Sequence, residues 1–156
     1  TFGRLFSDMN WIELASLIGS LATAIGVSIG AFQLWQASKH ARTSFEDALS
    51  KEYRDISRQL PVQAHIGEEL KDEEFERALP DFLHYIDLTN EQVFLRMQRR
   101  ITPATWWNWC DGIRTNLKAA AFAKAWSLIK QRAPSSFAEL RRLESEDFRR
   151  DPAAWR

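Results

Sequence analysis

The sequence predicts an all-α protein in which one N-terminal transmembrane helix continues into a compact bundle of four or five helices. Residues 14–38 carry no charge, whereas residues 39–156 carry 20 of the 21 basic and 19 of the 21 acidic side chains. In the charged part, apolar residues recur at three- and four-residue spacing, without the alternation typical of β-strands. We therefore expect four parts, namely a short N-terminal segment (1–10), a transmembrane helix (11–38), a helical extension (39–61) and a soluble helical domain (62–156).

The length of the uncharged stretch predicts the transmembrane helix. Its 25 residues would form a helix about 37 Å long, and a bilayer core about 30 Å thick needs roughly 20 apolar residues. Trp11 and Trp35 lie near its ends, followed by Lys39 and Arg42, and such residues anchor helices at the lipid–water boundary. A buried helix of a soluble protein usually has a shorter apolar run, and a secretory signal is shorter and ends in a cleavage motif. A single membrane pass fits this stretch best.

The charges that flank the stretch predict its orientation. On the N-terminal side, Arg4 is opposed by Asp8 and Glu13. The C-terminal side is basic, with Lys39, Arg42, Lys51, Arg54 and Arg58. Because positive charge is retained in the cytoplasm, we expect the N-terminus outside and the helical domain inside.

Small residues form two stripes along the predicted transmembrane helix. One consists of Ala22, Gly26 and Gly30, and the other of Ser16, Ser20, Ala24 and Ser28. Small residues let membrane helices approach closely, so we expect this helix to pack against copies of itself or against a larger complex. Glycine and alanine are also common in spanning helices that pack against nothing. The stretch contains no ionisable side chain that would indicate an ion pathway.

The helical extension is predicted by the absence of glycine and proline from Ala31 to Leu60. Its apolar side consists of Ala41, Phe45, Leu49, Ile56 and Leu60, and Pro61 should end it. Asp72 is expected to cap the next helix, in which Pro80 marks either a kink or a boundary between two helices. That helix should bury Phe82, Ile86, Thr89, Val93 and Met97.

Three further helices complete the predicted bundle. Thr102 and Pro103 suit the N-cap and first position of a helix whose apolar side consists of Trp106, Trp109 or Cys110, Ile113 and Leu117. A second helix should bury Phe122, Trp126 and Ile129. After Pro134, Ser136 and Glu139 have the spacing of a capping box for a last helix. Its apolar side should consist of Phe137, Leu140 and Leu143, with Phe148 as a further candidate.

No sequence motif points to catalysis. The three histidines are scattered, the single cysteine follows Trp109, and no metal-ligand or phosphate-loop spacing occurs. Asp87, Asn90 and Glu91 lie within about one helical turn, and we interpret them as a polar network that fixes helix register, with a ligand pocket as the alternative. We expect no enzyme, no cofactor and no bound metal. Equal numbers of basic and acidic residues argue against a nucleic-acid partner.

Four local patterns carry a resemblance to other proteins. They are FED at Phe45–Asp47, NEQVFLR at Asn90–Arg96, WxxWxxGI at Trp106–Ile113 and NLxxxAF at Asn116–Phe122. In these patterns the chain resembles uncharacterised bacterial single-pass membrane proteins with an N-terminal anchor and a small helical cytoplasmic domain. The resemblance covers most of the chain and implies a location in the bacterial inner membrane. It implies no activity and no catalytic residue.

Together these features predict a non-enzymatic membrane subunit or scaffold. The transmembrane helix would contact the lipid bilayer and other transmembrane helices, and the helical domain would bind protein partners. The alternative is a membrane-anchored signalling or defence effector that oligomerises and perturbs the membrane. An enzyme that uses Asp87, Asn90 and Glu91 is the least favoured hypothesis.

Overall fold

The computed structural model of the protein describes residues 11–155, except the side chain of Glu13. The predicted N-terminal segment, residues 1–10, lies outside the described residues. The described part is helical and contains no strand, which confirms the all-α prediction. Its six helices are α1 (Trp11–Ser57), α2 (Val62–His65), α3 (Asp72–Met97), α4 (Pro103–Lys118), α5 (Ala120–Arg132) and α6 (Ala138–Ser145), followed by a 3-10 helix at Pro152–Ala154.

The chain divides into two compact units, one ending at Thr43 and one comprising Ser44–Arg156. Helix α1 contributes to both of them, and it ends at Ser57, four residues before Pro61. Leu49 and Leu60 of the predicted extension are buried in the core of the second unit, Ser44–Arg156, which we term the helical unit.

Aromatic side chains fill the centre of the helical unit. Trp106, Trp126 and Tyr85 are among its largest fully buried side chains. Phe122 meets the rings of Phe82 and Tyr85 edge to face, with centroids 5.0 and 4.9 Å apart. Edge-to-face contacts add to the stability that burial of these rings provides. Helix α3 packs against α5, α6 and the 3-10 helix, and α4 packs against α5.

Two helix starts differ in how well local sequence predicts them. Helix α4 begins as predicted, since Thr102 Oγ1 accepts a hydrogen bond from the Thr105 amide at 3.3 Å and Pro103 follows. The capping box predicted at Ser136 is wrong. Helix α6 begins after Phe137, which adopts a left-handed conformation with φ of 59°, and Glu139 binds Asn90 instead of the backbone at Ser136.

Helix α3 differs from the prediction at its start, and its continuity excludes one of the two alternatives at its proline. Its N-cap is Lys71, so Asp72 lies in the first turn, where its charge still suits the helix dipole. Pro80 neither ends nor divides this helix, which continues to Met97.

Candidate functional site

The apolar segment of α1 is a helix without a covering surface in the described chain. Its most apolar 18-residue stretch has a mean hydropathy of 1.8, and none of that stretch is buried. The large apolar side chains between Leu14 and Trp35 are 39–72 % exposed. A core helix of a soluble protein would have these side chains buried. This helix is therefore long and apolar enough to cross a membrane.

The small residues of α1 leave open space beside the helix. A methyl group added at Gly26 or Gly30 would meet no other described part of the chain within 4 Å. The Ser28 hydroxyl donates to the Ala24 carbonyl at 2.8 Å, and the Thr23 hydroxyl donates to the Gly19 carbonyl at 2.8 Å. These two hydroxyl groups therefore need no water or polar partner outside the helix.

The predicted interface anchors are exposed near the two ends of the apolar segment. Trp11 is 76 % exposed and Trp35 is 60 % exposed. The Lys39 ammonium lies 5.7 Å from the centroid of the Trp35 ring, within the range of a cation–π contact. Arg42 is exposed on the following turn. An aromatic ring and a basic group are thus adjacent at this end of the segment, as is typical of residues at the membrane–water interface.

The polar network predicted at Asp87, Asn90 and Glu91 is not formed. Asp87 and Glu91 are exposed, and neither makes a hydrogen bond within the described residues. Only Asn90 is half-buried, and its partners come from α6. Its amide nitrogen donates to Glu139 at 3.0 Å, and its carbonyl oxygen accepts from the Leu140 backbone at 3.0 Å. Asn90 thus performs the capping role that the sequence assigned to Ser136.

A partly buried ion pair that the sequence did not reveal fixes the C-terminal tail. Arg96, at 6 % exposure, donates from Nε and Nη2 to the two carboxylate oxygens of Asp151 at 2.8 and 2.5 Å. Its Nη1 donates to the Ile101 carbonyl at 2.7 Å. Burial raises the pKa of Asp151, but the hydrogen bonds from Arg96 and from the Ala153 amide outweigh it and leave this pKa below its ordinary value.

A second unpredicted contact links the C-terminal part of α1 to α4. Glu46 accepts from the Thr102 amide at 2.6 Å and from the Thr105 hydroxyl at 2.6 Å. A carboxylate is favourable at this position because the first turn of a helix presents unpaired amides and the positive end of the helix dipole.

The helical unit contains a cavity of about 330 Å³ with both polar and aromatic side chains in its lining. It lies between the C-terminal part of α1, the middle of α3 and α4, and Tyr53, Arg54, Tyr85, Gln92, Trp109 and Gly112 are among its lining residues. Outside the lining, Asn116 donates to the Tyr85 hydroxyl at 3.0 Å and to the Tyr53 hydroxyl at 3.5 Å, which orients both rings. Volume and lining are within the range of small-molecule sites.

An apolar groove of about 390 Å³ lies between α3 and α5. Leu79, Pro80, Leu83 and Leu128 line it, with charged residues of both signs at its edge. Leu83 is 43 % exposed. Exposed apolar surface of this kind is typical of protein-binding sites.

The single cysteine and the potential metal ligands of the described residues form no reactive site. Cys110 is buried, and desolvation raises the pKa of its thiol to about 11, which keeps it protonated at neutral pH. Residues 11–155 hold no cluster of histidine, cysteine and carboxylate side chains suited to a metal ion.

Comparison with known proteins yields no relative. No family model, no curated protein and no solved structure matches this chain.

Proposed function

We propose that this protein is a non-enzymatic, single-pass membrane subunit that packs through α1 into a larger membrane complex and binds a protein partner with its helical unit. The observation that carries the proposal is the complete exposure of the most apolar stretch of α1. Exposed apolar surface costs about 25 cal/mol per Å² in water, so a segment of this length requires lipid or other helices around it. The resemblance to bacterial single-pass proteins supports the same arrangement.

The basic residues after the apolar segment support an orientation with the helical unit in the cytoplasm. Five basic residues follow within residues 39–58, whereas Arg4 is opposed by two carboxylates. We propose that in a bacterium the protein lies in the inner membrane, with its N-terminus outside.

The groove between α3 and α5 supports the partner-binding part of the proposal. An amphipathic helix of a partner subunit suits it, because helices dock in apolar grooves through residues spaced by three and four. Glu76 and Arg132 at the edge offer opposite charges for the polar side of such a helix.

The stripe of Ala22, Gly26 and Gly30 also supports a second candidate function. If α1 packs against copies of itself, the protein is a membrane-anchored effector that oligomerises and perturbs the bilayer. Overexpression would then cause ion leakage, and Gly26→Leu would abolish the leakage because leucine keeps helices apart.

Purification of the full chain from native membranes in a mild detergent tests the subunit proposal. We expect partner chains in stoichiometric amounts, and we expect Leu83→Glu in the groove to release a soluble partner while the chain stays in the membrane. Val62→Glu is the matched control, because Val62 is 70 % exposed and lies outside the groove. Recovery of a clean monomer from native membranes would contradict the proposal.

A further inference from the structure

We propose that the cavity between α1, α3 and α4 is a binding site for a small organic anion with a planar, hydrogen-bonding ring. All its lining residues lie between Ser50 and Ile113, inside the helical unit. The site is therefore independent of how the apolar segment is used, and of whether a partner occupies the groove. Three features of the cavity lining determine which ligand fits: an unpaired amide, aromatic side chains and a single positive charge.

The unpaired amide belongs to Gln92. This side chain is 4 % exposed, yet it makes no hydrogen bond within residues 11–155. Native proteins rarely leave a side-chain amide of so little exposure without a hydrogen-bond partner. In the described chain, the fully occluded unpaired side-chain groups are Ser57 Oγ and the indole nitrogens of Trp106 and Trp126. Gln92 is not among them, because its amide reaches the cavity that it lines.

Because the Gln92 amide reaches the cavity, it favours a planar ligand ring that has both a hydrogen-bond donor and an acceptor on one edge. The glutamine oxygen accepts and its nitrogen donates in the same plane, which matches the edge of a purine or of a carboxamide-bearing ring.

Aromatic side chains make the cavity suitable for such a ring. Tyr53, Tyr85 and Trp109 line it, and the two tyrosine rings lie 6.2 Å apart at 58°. Flat faces of aromatic side chains stabilise planar rings by stacking. Asn116 already fixes both tyrosines through their hydroxyl groups, so little side-chain freedom remains to be lost on binding.

The charge of the lining determines the sign of the ligand. Arg54 is the cation of the lining, which includes no carboxylate. Arg54 is exposed, so it lies at the mouth, and it forms no ion pair within the described residues. An arginine without a protein carboxylate favours a phosphate or carboxylate group on the ligand. A nucleoside monophosphate and an aromatic carboxylate share this chemistry.

Calorimetric titration of the full chain in lipid nanodiscs tests the site with four probes. Two complete probes carry both the hydrogen-bonding ring and an anionic group. Two incomplete probes each lack one of these features. AMP carries a phosphate and an adenine ring with a donor and an acceptor on one edge. Orotate carries a carboxylate and a pyrimidine ring with N–H and C=O groups on one edge. Adenosine lacks the anion, and ribose 5-phosphate lacks the aromatic base. We expect AMP or orotate to bind with a Kd below about 1 mM, and the probe that binds identifies the anion as a phosphate or a carboxylate. For AMP, we expect each incomplete probe to bind at least about tenfold more weakly.

Two substitutions separate binding from folding. A side chain at Gly112 would enter open space, since an added Cβ meets no described part of the chain within 4 Å. Gly112→Leu should therefore fill the cavity and abolish binding, whereas Gly112→Ala, the matched control, should retain it. Gln92→Leu should abolish binding without lowering the melting temperature, because the Gln92 amide has no hydrogen-bond partner within residues 11–155 to lose.

Two results would overturn the proposal. One is failure of both complete probes to bind at about 1 mM. The other is binding that survives in Gln92→Leu, whether or not Gly112→Leu folds.

Discussion

At the scale of single residues, the contacts of Arg96 and Asp151 determine how the C-terminal tail is held. The guanidinium group is buried on α3, and both oxygens of Asp151 face it. Asp151 also accepts from the Ala153 amide at 2.9 Å, which begins the 3-10 helix. One carboxylate thus neutralises a buried charge and caps the last structured turn.

Replacement of Asp151 should therefore be costly. We expect Asp151→Asn to lower the free energy of unfolding by about 3 kcal/mol, because Arg96 would stay buried with an uncompensated charge. The matched control is Asp147→Asn, since Asp147 pairs with Arg149 at 2.8 Å on the exposed surface. The control should change the free energy by no more than about 0.5 kcal/mol. Denaturant unfolding measures both, and equal effects of the two substitutions would contradict this role.

The same ion pair predicts a dependence of stability on pH. The pKa of Asp151 lies below its ordinary value of 3.8 in the folded protein. A lowered carboxyl pKa contributes stability that is complete above the unfolded-state value and is lost as the pH falls through the folded-state value. The difference in unfolding free energy between the wild type and Asp151→Asn should therefore be constant from neutral pH to about pH 4 and shrink below it. A difference that grows in acid would contradict the assignment.

Sequence alone predicts single residues only where the partner is close in the chain. The Thr102 cap was predictable because its partner, Thr105, is three residues away. Arg96 and Asp151 are 55 residues apart, and no local pattern pairs them. Asn90 was predicted to belong to a polar network with Asp87 and Glu91, but its partners on α6 were not predictable. The capping box at Ser136 offered a competing local explanation for the same helix start.

At the scale of elements, the small residues of α1 predict how this helix packs in the membrane. We expect Gly26→Leu to weaken association of α1 with its membrane partner or with a second copy by roughly tenfold, about 1.4 kcal/mol. The cause is steric, because the leucine side chain would hold the helix backbones apart. Förster transfer between labelled chains in lipid vesicles, or recovery of the partner in mild detergent, measures the effect.

Leu21→Phe provides the control for this prediction. Leu21 lies five residues before Gly26, about 140° around the helix, on a side that already carries large side chains. Added bulk there should leave association unchanged. If Leu21→Phe weakened association as much as Gly26→Leu, the stripe would not be the packing surface.

Helix α3 shows why proline was ambiguous in the sequence. A proline inside a helix costs about 3 kcal/mol, so a break at Pro80 was a reasonable alternative. The structure keeps one helix because Phe75 and Ala78 before the proline and Phe82 and Tyr85 after it are all buried. Burial of apolar groups on both sides outweighs the lost hydrogen bond, and that balance depends on tertiary packing that the sequence does not display.

At the scale of the whole molecule, the chain separates an apolar helical segment from a helical unit with its own core. Composition made this division predictable, because charge is absent from residues 14–38 and dense afterwards. The cavity was not predictable, because it joins side chains from three elements that only folding brings together.

The central claim is that the apolar segment of α1 lies in a lipid bilayer, and alkaline carbonate extraction of bacterial membranes tests it most directly. We predict that the intact chain stays in the membrane pellet. A variant with Ile18→Lys and Ile25→Lys should move to the supernatant, because each central charge costs about 2.5–3.5 kcal/mol in the membrane. Recovery of the intact wild-type chain in the supernatant, or release of a shortened chain cut after the apolar segment, would contradict the claim.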